Sequence, residues 1–503
     1  MTFSADTPPQ GTLRDWIDKR AEDGGTAFVF TEGEGSIEWA ELRDTAAGIA
    51  GALTARGIRH GESVAIMMPN GHDAVECLFG VLYGGFRATL INLAAGKDAI
   101  AYALEHSDAR FAFVDETQLS LFADASGGRI ERLHAQARNA DTALHSVVAG
   151  DHALLMYTSG TTGRPKGVVH TQASLLAGGW TTAVAHALTP GDRGLCVLPI
   201  FHINGLCVTV MGALVSGGSL AMSARFSART FWSNLGDCKA TWFSVVPTII
   251  SHLLAAPSEP DEATKDRLRF GRSASSALSP DVQSAFETRF GVPIIETMGL
   301  TETAAQILSN PLPPGRRKIG SSGIAYGNEA CILSPEFDQL PAGQEGEIAI
   351  RGANIMLEYL KNPDATRDTF TSDGWLRTGD LGRQDKDGYF FVTGRLKELI
   401  IKGGENIAPR EIDEALYSHP DIIEAAAFSC PCPSYGERVE AAVKVREGSD
   451  LSTLELLRIC EERLGKFKCP DQIYFLEELP KGPSGKIQRM KIRELVQDAS
   501  QQL

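Results

Sequence analysis

The sequence predicts an α/β protein with a large N-terminal domain of parallel-rich sheets covered by helices, a small β subdomain, and a small α+β C-terminal domain. Three observations predict this class. Helix-like and strand-like segments alternate early in the chain, a glycine-rich β-like texture begins at about residue 320, and a compact α+β pattern ends the chain. At 503 residues the chain is too long for one ordinary core, so two or more domains are expected.

The early alternation is visible in four successive segments. Apolar residues recur with helical spacing or form continuous buried runs, which predicts two helices and two strands. In order, the segments are a helix (AELRDTAAGIAGALTARGI, 40–58), a strand (ESVAIMMPN, 62–70), a helix (HDAVECLFGVLYGG, 72–85) and a strand (RATLINL, 87–93). Strands that alternate with helices favour parallel sheets covered on their faces.

The later segments predict a change of architecture. Strand-like stretches at 346–356 and 388–404 predict the small β subdomain, and they follow further α/β units at 240–248 and 286–299. The terminal pattern is helix, strand, strand, helix, strand, at 409–420, 422–431, 438–447, 452–465 and 472–479. A basic segment then carries Lys486 in a Gly-Pro-Ser-Gly turn.

Composition excludes several classes of protein. A formal charge of −15 argues against a nucleic-acid binder, which needs a basic surface. The nine cysteines show neither zinc-ligand nor C-x-x-C spacing, which indicates reduced thiols. The N-terminus has no basic and apolar signal pattern, and the uncharged run from 194 to 224 is interrupted by Pro199, His202 and Asn204. We therefore expect a cytoplasmic protein without a membrane span.

A flexible polar loop lies between two apolar runs at Tyr157–His170, YTSGTTGRPKGVVH. Its glycines and hydroxyl side chains allow close approach of backbone N–H groups to a phosphate. The same composition is typical of a solvated hairpin turn. The spacing excludes a Walker loop, because Lys166 follows Pro165 and precedes Gly167.

Four other stretches supply complementary chemistry. ETMGLTET (296–303) provides Thr301 and Glu302, oxygen donors of the kind that Mg²⁺ prefers. WLRTGDLG (375–382) provides Asp380 in a glycine-flanked turn, where a carboxylate can accept hydrogen bonds from ribose hydroxyls. The remaining stretches are GRLKELIIKGGENIAPREI (394–412) and PKGPSGKIQR (480–489).

In combination with LPIFHINGL (198–206), these motifs resemble the adenylate-forming superfamily of acyl- and aryl-CoA synthetases, firefly-type luciferases and peptide-synthetase adenylation domains. The resemblance covers nearly the whole chain, from about residue 10 to 495. It implies an N-terminal adenylation domain at 1–394 and a mobile C-terminal domain at 395–503, with a hinge near residue 397.

The resemblance implies a set of ATP-binding residues, with Glu302 also as the ligand of Mg²⁺ and Thr301 and Glu302 as catalytic residues. Met298 stands where the family usually has an aromatic residue against adenine, and a thioether can pack on a purine face. The implied ATP-binding residues are Thr158, Ser159, Gly160, Thr161, Thr162, Gly163, Lys166, Ser275, Ser276, Glu296, Thr297, Met298, Thr301, Asp380 and Arg395.

The family reaction has two steps. Lys486 matches the catalytic lysine that contacts the carboxylate and the α-phosphate while acyl-AMP and pyrophosphate form. Rotation of the C-terminal domain about Lys397 then lets the thiol of coenzyme A (CoA) attack, with release of AMP. The CoA-binding residues implied are Arg225, Gly403, Gly404, Glu405 and Asn406.

The acid is less well specified than the reaction. Stretches such as RFSARTFW and SASSALSP resemble the oxalate-CoA ligase-like branch, which implies a small polar or dicarboxylic acid. His202, Asn204 and Arg272 are the predicted substrate pocket, with the Arg316-Arg317-Lys318 cluster as another candidate partner for a second anion. A medium-chain fatty or aromatic acyl-CoA synthetase, an adenylation enzyme that loads a carrier protein, a luciferase-like oxygenase and a regulatory nucleotide-binding module remain alternatives, and relatives are monomers or dimers.

Overall fold

A computed structural model describes residues 3–33, 35–158, 165–482 and 486–501. The helices are α1 (Leu13–Asp23), α2 (Trp39–Ala55), α3 (His72–Tyr83), α4 (Lys97–His106), α5 (Leu119–Ser126), α6 (Gln172–Ala185), α7 (Gly212–Ser216), α8 (Phe231–Asp237), α9 (Pro247–Ala255), α10 (Glu262–Arg267), α11 (Pro280–Phe290), α12 (Pro363–Thr369), α13 (Pro409–Tyr417), α14 (Thr453–Leu464) and α15 (Arg489–Gln501). A π-helix spans Asn204–Met211, and 3₁₀ turns span Glu116–Gln118 and Thr301–Thr303.

The strands alternate with these helices through the first two thirds of the chain. They are β1 (Thr26–Phe30), β2 (Ser36–Glu38), β3 (Ser63–Met67), β4 (Arg87–Leu90), β5 (Phe111–Val114), β6 (Glu131–Leu133), β7 (His152–Thr158), β8 (Lys166–Thr171), β9 (Arg193–Cys196), β10 (Ser219–Met222), β11 (Trp242–Val245), β12 (Phe270–Ser273), β13 (Ile294–Leu300), β14 (Ala305–Ser309), β15 (Ile324–Ala325), β16 (Glu329–Leu333), β17 (Glu345–Arg351), β18 (Glu358–Tyr359), β19 (Leu376–Gln384), β20 (Phe390–Arg395), β21 (Ile400–Lys402), β22 (Glu405–Ile407), β23 (Ile422–Cys432), β24 (Gly436–Val445) and β25 (Gln472–Phe475).

Two large, mostly parallel sheets form the N-terminal region. Within the described residues, one has nine strands in the order β15-β14-β13-β12-β11-β9-β10-β1-β2, and the other has seven in the order β18-β8-β7-β4-β3-β5-β6. The run from β1 through β10, β9, β11 and β12 to β13 is parallel. Parallel strands end at the same edge of a sheet, so the loops that follow β9, β11, β12 and β13 are brought together.

Helices fill the space between the two sheets and cover their outer faces. One hydrophobic core joins both sheets through α2, α3 and α6, and includes the fully buried Trp16, Phe79 and Phe86. A second core packs α8, α9 and α11 against the nine-stranded sheet, and a third packs α4 and α5 against the seven-stranded sheet. Burial on both faces explains why the strands read as continuous apolar runs.

Local capping explains where key helices begin. Thr12 and Thr171 cap α1 and α6, each with its side chain accepting the N–H of the residue three positions later. Proline occupies the first turn of α9, α11 and α13, where its missing N–H costs nothing.

The remaining strands form two smaller units, as predicted. Strands β16, β17, β19 and β20 make an antiparallel sheet, and β22, β21, β24 and β23 with β25 make the C-terminal sheet. The two-residue turn Gly403-Gly404 joins β21 to β22 with positive φ at both glycines, a conformation that favours this residue type. The predicted α/β class with a small β subdomain and an α+β C-terminal unit is therefore confirmed.

In the described ranges, no helix is long and apolar enough to cross a membrane. The C-terminal sheet contacts the N-terminal region through α9 and β23. Here His252 Nε2 lies 3.0 Å from Oε1 of the fully buried Glu424, which Lys481 also approaches to 2.8 Å. The predicted domain boundary, between residues 394 and 395, lies at the end of β20, and the predicted hinge residue Lys397 lies between β20 and β21.

Candidate active site

The polar loop at 157–170 connects two antiparallel strands. Thr158 at the end of β7 lies opposite Lys166 at the start of β8. The residues of the predicted phosphate loop that lie between them, Ser159, Gly160, Thr161, Thr162 and Gly163, are outside the described residues. Lys166 is half-buried, and its Nζ lies 4.4 Å from the centre of the Tyr359 ring. That distance is typical of a cation–π contact.

Thr301 and Glu302 lie in the 3₁₀ turn that follows β13. Tyr359 donates its hydroxyl hydrogen to Glu302 Oε1 at 2.7 Å, and Met356 N–H donates to the Glu302 carbonyl at 2.8 Å. His170 Nε2 donates to the Thr301 carbonyl at 2.7 Å. Burial lowers the pKa of His170 to about 4, so this imidazole is neutral at pH 7. The turn is thus held by β8 on one side and by the segment around β18 on the other.

Asp380 and Arg395 are register partners across β19 and β20. Arg395 Nε donates to Asp380 Oδ1 at 2.6 Å. Burial raises the pKa of Asp380, and Arg395 opposes that rise. Burial would lower the pKa of Arg395, but Asp380 and, more weakly, Glu302 raise it. Asp380 and Glu302, the carboxylates predicted to contact the ribose and Mg²⁺, are therefore both close enough to Arg395 to interact with its charge.

Lys486 enters this cluster from the C-terminal unit. Its Nζ lies 3.5 Å from Glu398 Oε1. Burial and Arg395 lower the pKa of Lys486, while Glu398 and Asp380 oppose that change. Despite burial, which acts the other way, Lys486 and Arg489 hold the pKa of Glu398 below its usual value. The side chain of Lys486 remains 37% exposed, which leaves the ammonium accessible to a ligand.

The predicted adenine-side residues follow β12 or lie in β13. Ser275 and Ser276 are half-buried, and Ser275 has a φ of +75°. Thr297 donates its hydroxyl to the Ser273 carbonyl at 3.2 Å. Met298 is 8% exposed and packs with Ile307 and other residues of an aliphatic cluster, so most of its thioether faces protein.

Glu296 is buried beside these residues. Its Oε1 accepts the N–H of Leu278 at 3.2 Å, while its Oε2 makes no hydrogen bond within the described residues. Burial raises the pKa of Glu296 to about 7.

The predicted substrate-pocket residues are partly connected. Asn204 begins the π-helix and donates Nδ2–H to Ser275 Oγ at 3.1 Å. Arg272 Nη1 donates to Asn204 Oδ1 at 2.7 Å, and Arg272 is 1% exposed. His202 is half-buried two residues earlier, with its ring 5.0 Å from that of Phe201. Asn204 and Arg272 are therefore joined next to the Ser275 turn, and His202 is near them in sequence.

The residues predicted to bind CoA are separate from this cluster in the present arrangement. Arg225 is exposed and follows β10. Gly403, Gly404, Glu405 and Asn406 are exposed at the β21–β22 hairpin. Lys397 is exposed in the turn between β20 and β21, on the connection that joins the two predicted domains.

Two contacts of the site were missed by sequence reasoning. Glu398 lies inside a motif that the sequence singled out, and the need of Lys486 for a counter-ion could have identified it. Tyr359 carries no comparable sequence signal, because only strand pairing with β8 brings it to Glu302 and Lys166.

The Arg316-Arg317-Lys318 cluster is a poor candidate for the anion partner, because its own salt bridges already balance most of its charge. Arg317 is paired with Glu287, and Lys318 with Asp385 and Asp387. Arg316 is largely exposed, 3.7 Å from Asp387. Arg317 and Lys318 attach this segment to α11 and to the turn at 385–387, so a structural role for 316–318 is the better interpretation.

The fold and the site define an enzyme that activates a carboxylic acid with a nucleotide. Residues 16–360 match the family model of the AMP-binding enzymes, and residues 411–486 match that of the AMP-binding enzyme C-terminal domain. The chain belongs to the AMP-binding enzyme family, and the resemblance to adenylate-forming enzymes is confirmed.

Similar proteins specify the reaction. The chain is 46% identical to a sulfoacetate-CoA ligase of Cupriavidus necator, over 95% of each chain. It is 34% identical to an oxalate-CoA ligase of Arabidopsis thaliana, over 91% of this chain and 93% of that one. The ATP-bound structure of MatB from Rhodopseudomonas palustris matches with a TM-score of 0.88 at 29% identity, over 97% and 99% of the two chains. The protein is an ATP-dependent, AMP-forming acid-CoA ligase that works through an acyl-AMP.

Proposed function

We propose that this ligase activates a short carboxylic acid that carries a second anionic group, a carboxylate or a sulfonate. The observation that carries the proposal is the buried guanidinium of Arg272. Its hydrogen-bond partners among the described residues are neutral: Asn204, Ser244 and Gln306, at 2.7, 3.1 and 3.1 Å.

Arg272 is a cation without a carboxylate to balance it in the described part of the chain. Burial lowers its pKa to about 9, which still leaves it charged at pH 7. Burial and the nearby Arg272 lower the pKa of His186 to about 3, so His186 is neutral. A buried charge is costly unless it is compensated. Asn204 is hydrogen-bonded to both Arg272 and Ser275. An anion bound near the Ser275 turn would therefore lie close enough to the guanidinium to balance its charge.

Relatives support the same substrate class. The two CoA ligases reported above are named for sulfoacetate and for oxalate, and each of these acids has two anionic groups. The oxalate-like substrate expected from the sequence falls within this class. A sulfonate and a carboxylate offer the same recognition chemistry, namely charged oxygens that accept hydrogen bonds.

The test compares acids that differ only in the second charge. AMP release with ATP and CoA would be measured for sulfoacetate, oxalate and malonate against acetate and propionate. We expect kcat/KM to favour a dianionic acid by about 100-fold or more. Arg272→Met should remove most of this preference. Preference of the wild type for a monocarboxylate, or an unchanged ratio in Arg272→Met, would contradict the proposal.

Arg87→Met is the matched control for loss of a buried arginine. Arg87 is 8% exposed and donates to Ser63 Oγ and the Ser107 carbonyl, in the other large sheet. Its loss should affect stability in a similar way while leaving the ratio between acids unchanged.

We further propose that Thr301 and Glu302 hold Mg²⁺ with the ATP phosphates. Glu302 is half-buried and forms no salt bridge within the described residues, and its carboxylate is an oxygen donor of the kind Mg²⁺ takes. The bound ion would neutralise phosphate charge. Thr158 and Lys166 would contact the same phosphates from the β7–β8 hairpin, together with the residues between them. Asp380 and Arg395 would hold the ribose.

Lys486 is proposed to act in the first step. The acid carboxylate attacks the α-phosphorus and pyrophosphate leaves, while the ammonium of Lys486 offsets the negative charge of both reactants. Proximity of Lys486 to Asp380 and Arg395 supports this role. In the second step the CoA thiol loses its proton to solvent as its sulfur bonds to the acyl carbon, and the bond between that carbon and the phosphate oxygen breaks, so AMP leaves. Rotation about Lys397 would withdraw Lys486 and bring Gly403, Gly404, Glu405 and Asn406 towards the acyl group, with Arg225 near the CoA phosphates.

A further inference from the structure

Tyr359 connects two groups that approach the site from different parts of the chain. It is 6% exposed, and its backbone N–H donates to Thr366 Oγ1 at 2.9 Å. Its strand β18 pairs with β8, where Tyr359 is the register partner of Val168. Leu360 N–H also donates to the Gly167 carbonyl at 2.8 Å. These backbone contacts hold Tyr359 against β8, the strand that follows the polar loop.

The hydroxyl and the ring of Tyr359 make different contacts. The hydroxyl donates to Glu302 Oε1 at 2.7 Å, and the ring centre lies 4.4 Å from Lys166 Nζ. A hydrogen bond to a carboxylate is among the stronger hydrogen bonds in proteins. The negative face of an aromatic ring attracts an ammonium group. One residue therefore restrains both a carboxylate and a cation.

Only one oxygen of Glu302 is engaged by the tyrosine hydroxyl. Met356 N–H also donates to the backbone carbonyl of Glu302. The residue is therefore held both at its backbone and at the end of its side chain. Fixing one oxygen orients the other, and a pre-oriented ligand loses less conformational entropy when a metal ion binds.

We propose that Tyr359 is a positioning residue for nucleotide activation: its hydroxyl orients Glu302 for Mg²⁺, and its ring holds Lys166 beside the phosphate site. This inference rests on the proposed roles of Glu302 and Lys166. It assigns Tyr359 no contact with the reacting atoms.

The experiment separates the hydroxyl from the ring. Acid-dependent exchange of pyrophosphate into ATP would be measured over a wide range of Mg²⁺ concentration. Tyr359→Phe should raise the Mg²⁺ concentration for half-maximal rate by roughly 10- to 100-fold, the usual effect of losing a group that orients a metal ligand. Saturating Mg²⁺ should restore the rate, and KM for ATP should then equal that of the wild type. Tyr359→Leu should in addition raise KM for ATP, because Lys166 loses its ring contact.

A binding measurement gives a second readout that does not depend on turnover. ATP affinity would be titrated by calorimetry with and without Mg²⁺. We expect Tyr359→Phe to bind metal-free ATP as the wild type does but to gain less affinity on addition of Mg²⁺. An unchanged Mg²⁺ dependence, or a loss of rate that is equal at all Mg²⁺ concentrations, would overturn the inference.

Tyr83→Phe is the matched control. Tyr83 is also buried, donates to Asp18 Oδ1 at 2.7 Å and has Arg14 over its ring at 5.2 Å, but it lies between α3 and α1. Its loss should leave the Mg²⁺ profile unchanged, and an equal shift would overturn the inference. Glu302→Gln tests the proposed metal role of Glu302 separately from the positioning role of Tyr359. If it matches the wild type in its Mg²⁺ dependence, the proposed metal role of Glu302 fails, whatever Tyr359→Phe does.

Discussion

Lys486 Nζ lies 3.5 Å from Glu398 Oε1, so the lysine proposed to join acid and nucleotide is paired with the carboxylate next to the predicted hinge residue Lys397. Arg489 Nε approaches the other oxygen of Glu398 to 3.5 Å. The pairing keeps the ammonium near Asp380 and Arg395 before any substrate charge is present.

Glu398→Gln should shift the alkaline limb of the first half-reaction. Burial and Arg395 already lower the pKa of Lys486, and the Glu398 charge opposes this effect. Without that charge the pKa falls further, so the protonated, active lysine is lost at a lower pH. The rate of pyrophosphate exchange would be measured as a function of pH. A limb that stays in place or moves upward would contradict this prediction. Glu411→Gln, which removes a partner of Lys468, is the control and should leave the limb unmoved.

Lys486→Ala should abolish the first step selectively. Loss of a preorganised group that stabilises developing charge costs about 100- to 1000-fold in rate. Pyrophosphate exchange should fall by that factor, while thioester formation from supplied acyl-AMP should remain largely intact. Equal loss of both steps would exclude the assignment. Lys491→Ala, at an exposed position in α15, should leave both steps unchanged.

Lys397→Pro should trap one domain arrangement. Proline fixes φ near −65°, so a pivot at this position can no longer rotate freely. One half-reaction should fall by at least about tenfold while the other is spared. Lys397→Ala removes the side chain and keeps the backbone freedom, so it should retain both. If Lys397→Pro has wild-type rates in both steps, the pivot lies elsewhere.

His252→Ala should weaken the contact between α9 and β23. His252 Nε2 lies 3.0 Å from Glu424 Oε1, and these groups belong to different predicted domains. A hydrogen bond of this kind contributes about 1 kcal/mol. The first half-reaction should therefore slow by about fivefold, with the second unaffected. His419→Ala, whose nearest carboxylate is Glu455 of the same domain, serves as the control. Equal effects of the two variants would show that the interdomain contact is not responsible.

The motifs of this chain can be recognised from the sequence because each consists of residues that are adjacent along the chain. Glycines, hydroxyl residues and single charged residues in short loops indicate the chemistry of a turn, and the family resemblance added the roles expected of Asp380 and Lys486. The alternation of helices and strands predicted the two parallel-rich sheets for the same reason. Buried strands are apolar throughout, and a helix exposes one polar face.

Other features depend on residues far apart in sequence. Tyr359 meets Glu302 and Lys166 only because β18 pairs with β8. Along the chain, the mostly apolar segment that contains it, IMLEYL (355–360), shows no sign of a role in the site. Similarly, the 316–318 cluster has three adjacent cations and is a candidate anion site from sequence alone. In the structure, Glu287, Asp385 and Asp387 neutralise most of its charge.

The sequence by itself determined the α/β class, the family and the adenylating reaction, because these are carried by local patterns of residue type. The tertiary structure decided which charges are balanced. Arg272 is a single cation in an apolar strand when read along the chain, and it becomes a buried charge with neutral partners only once β11, β12 and the π-helix are brought together. Electrostatic balance depends on distances in space, which strand order and register set.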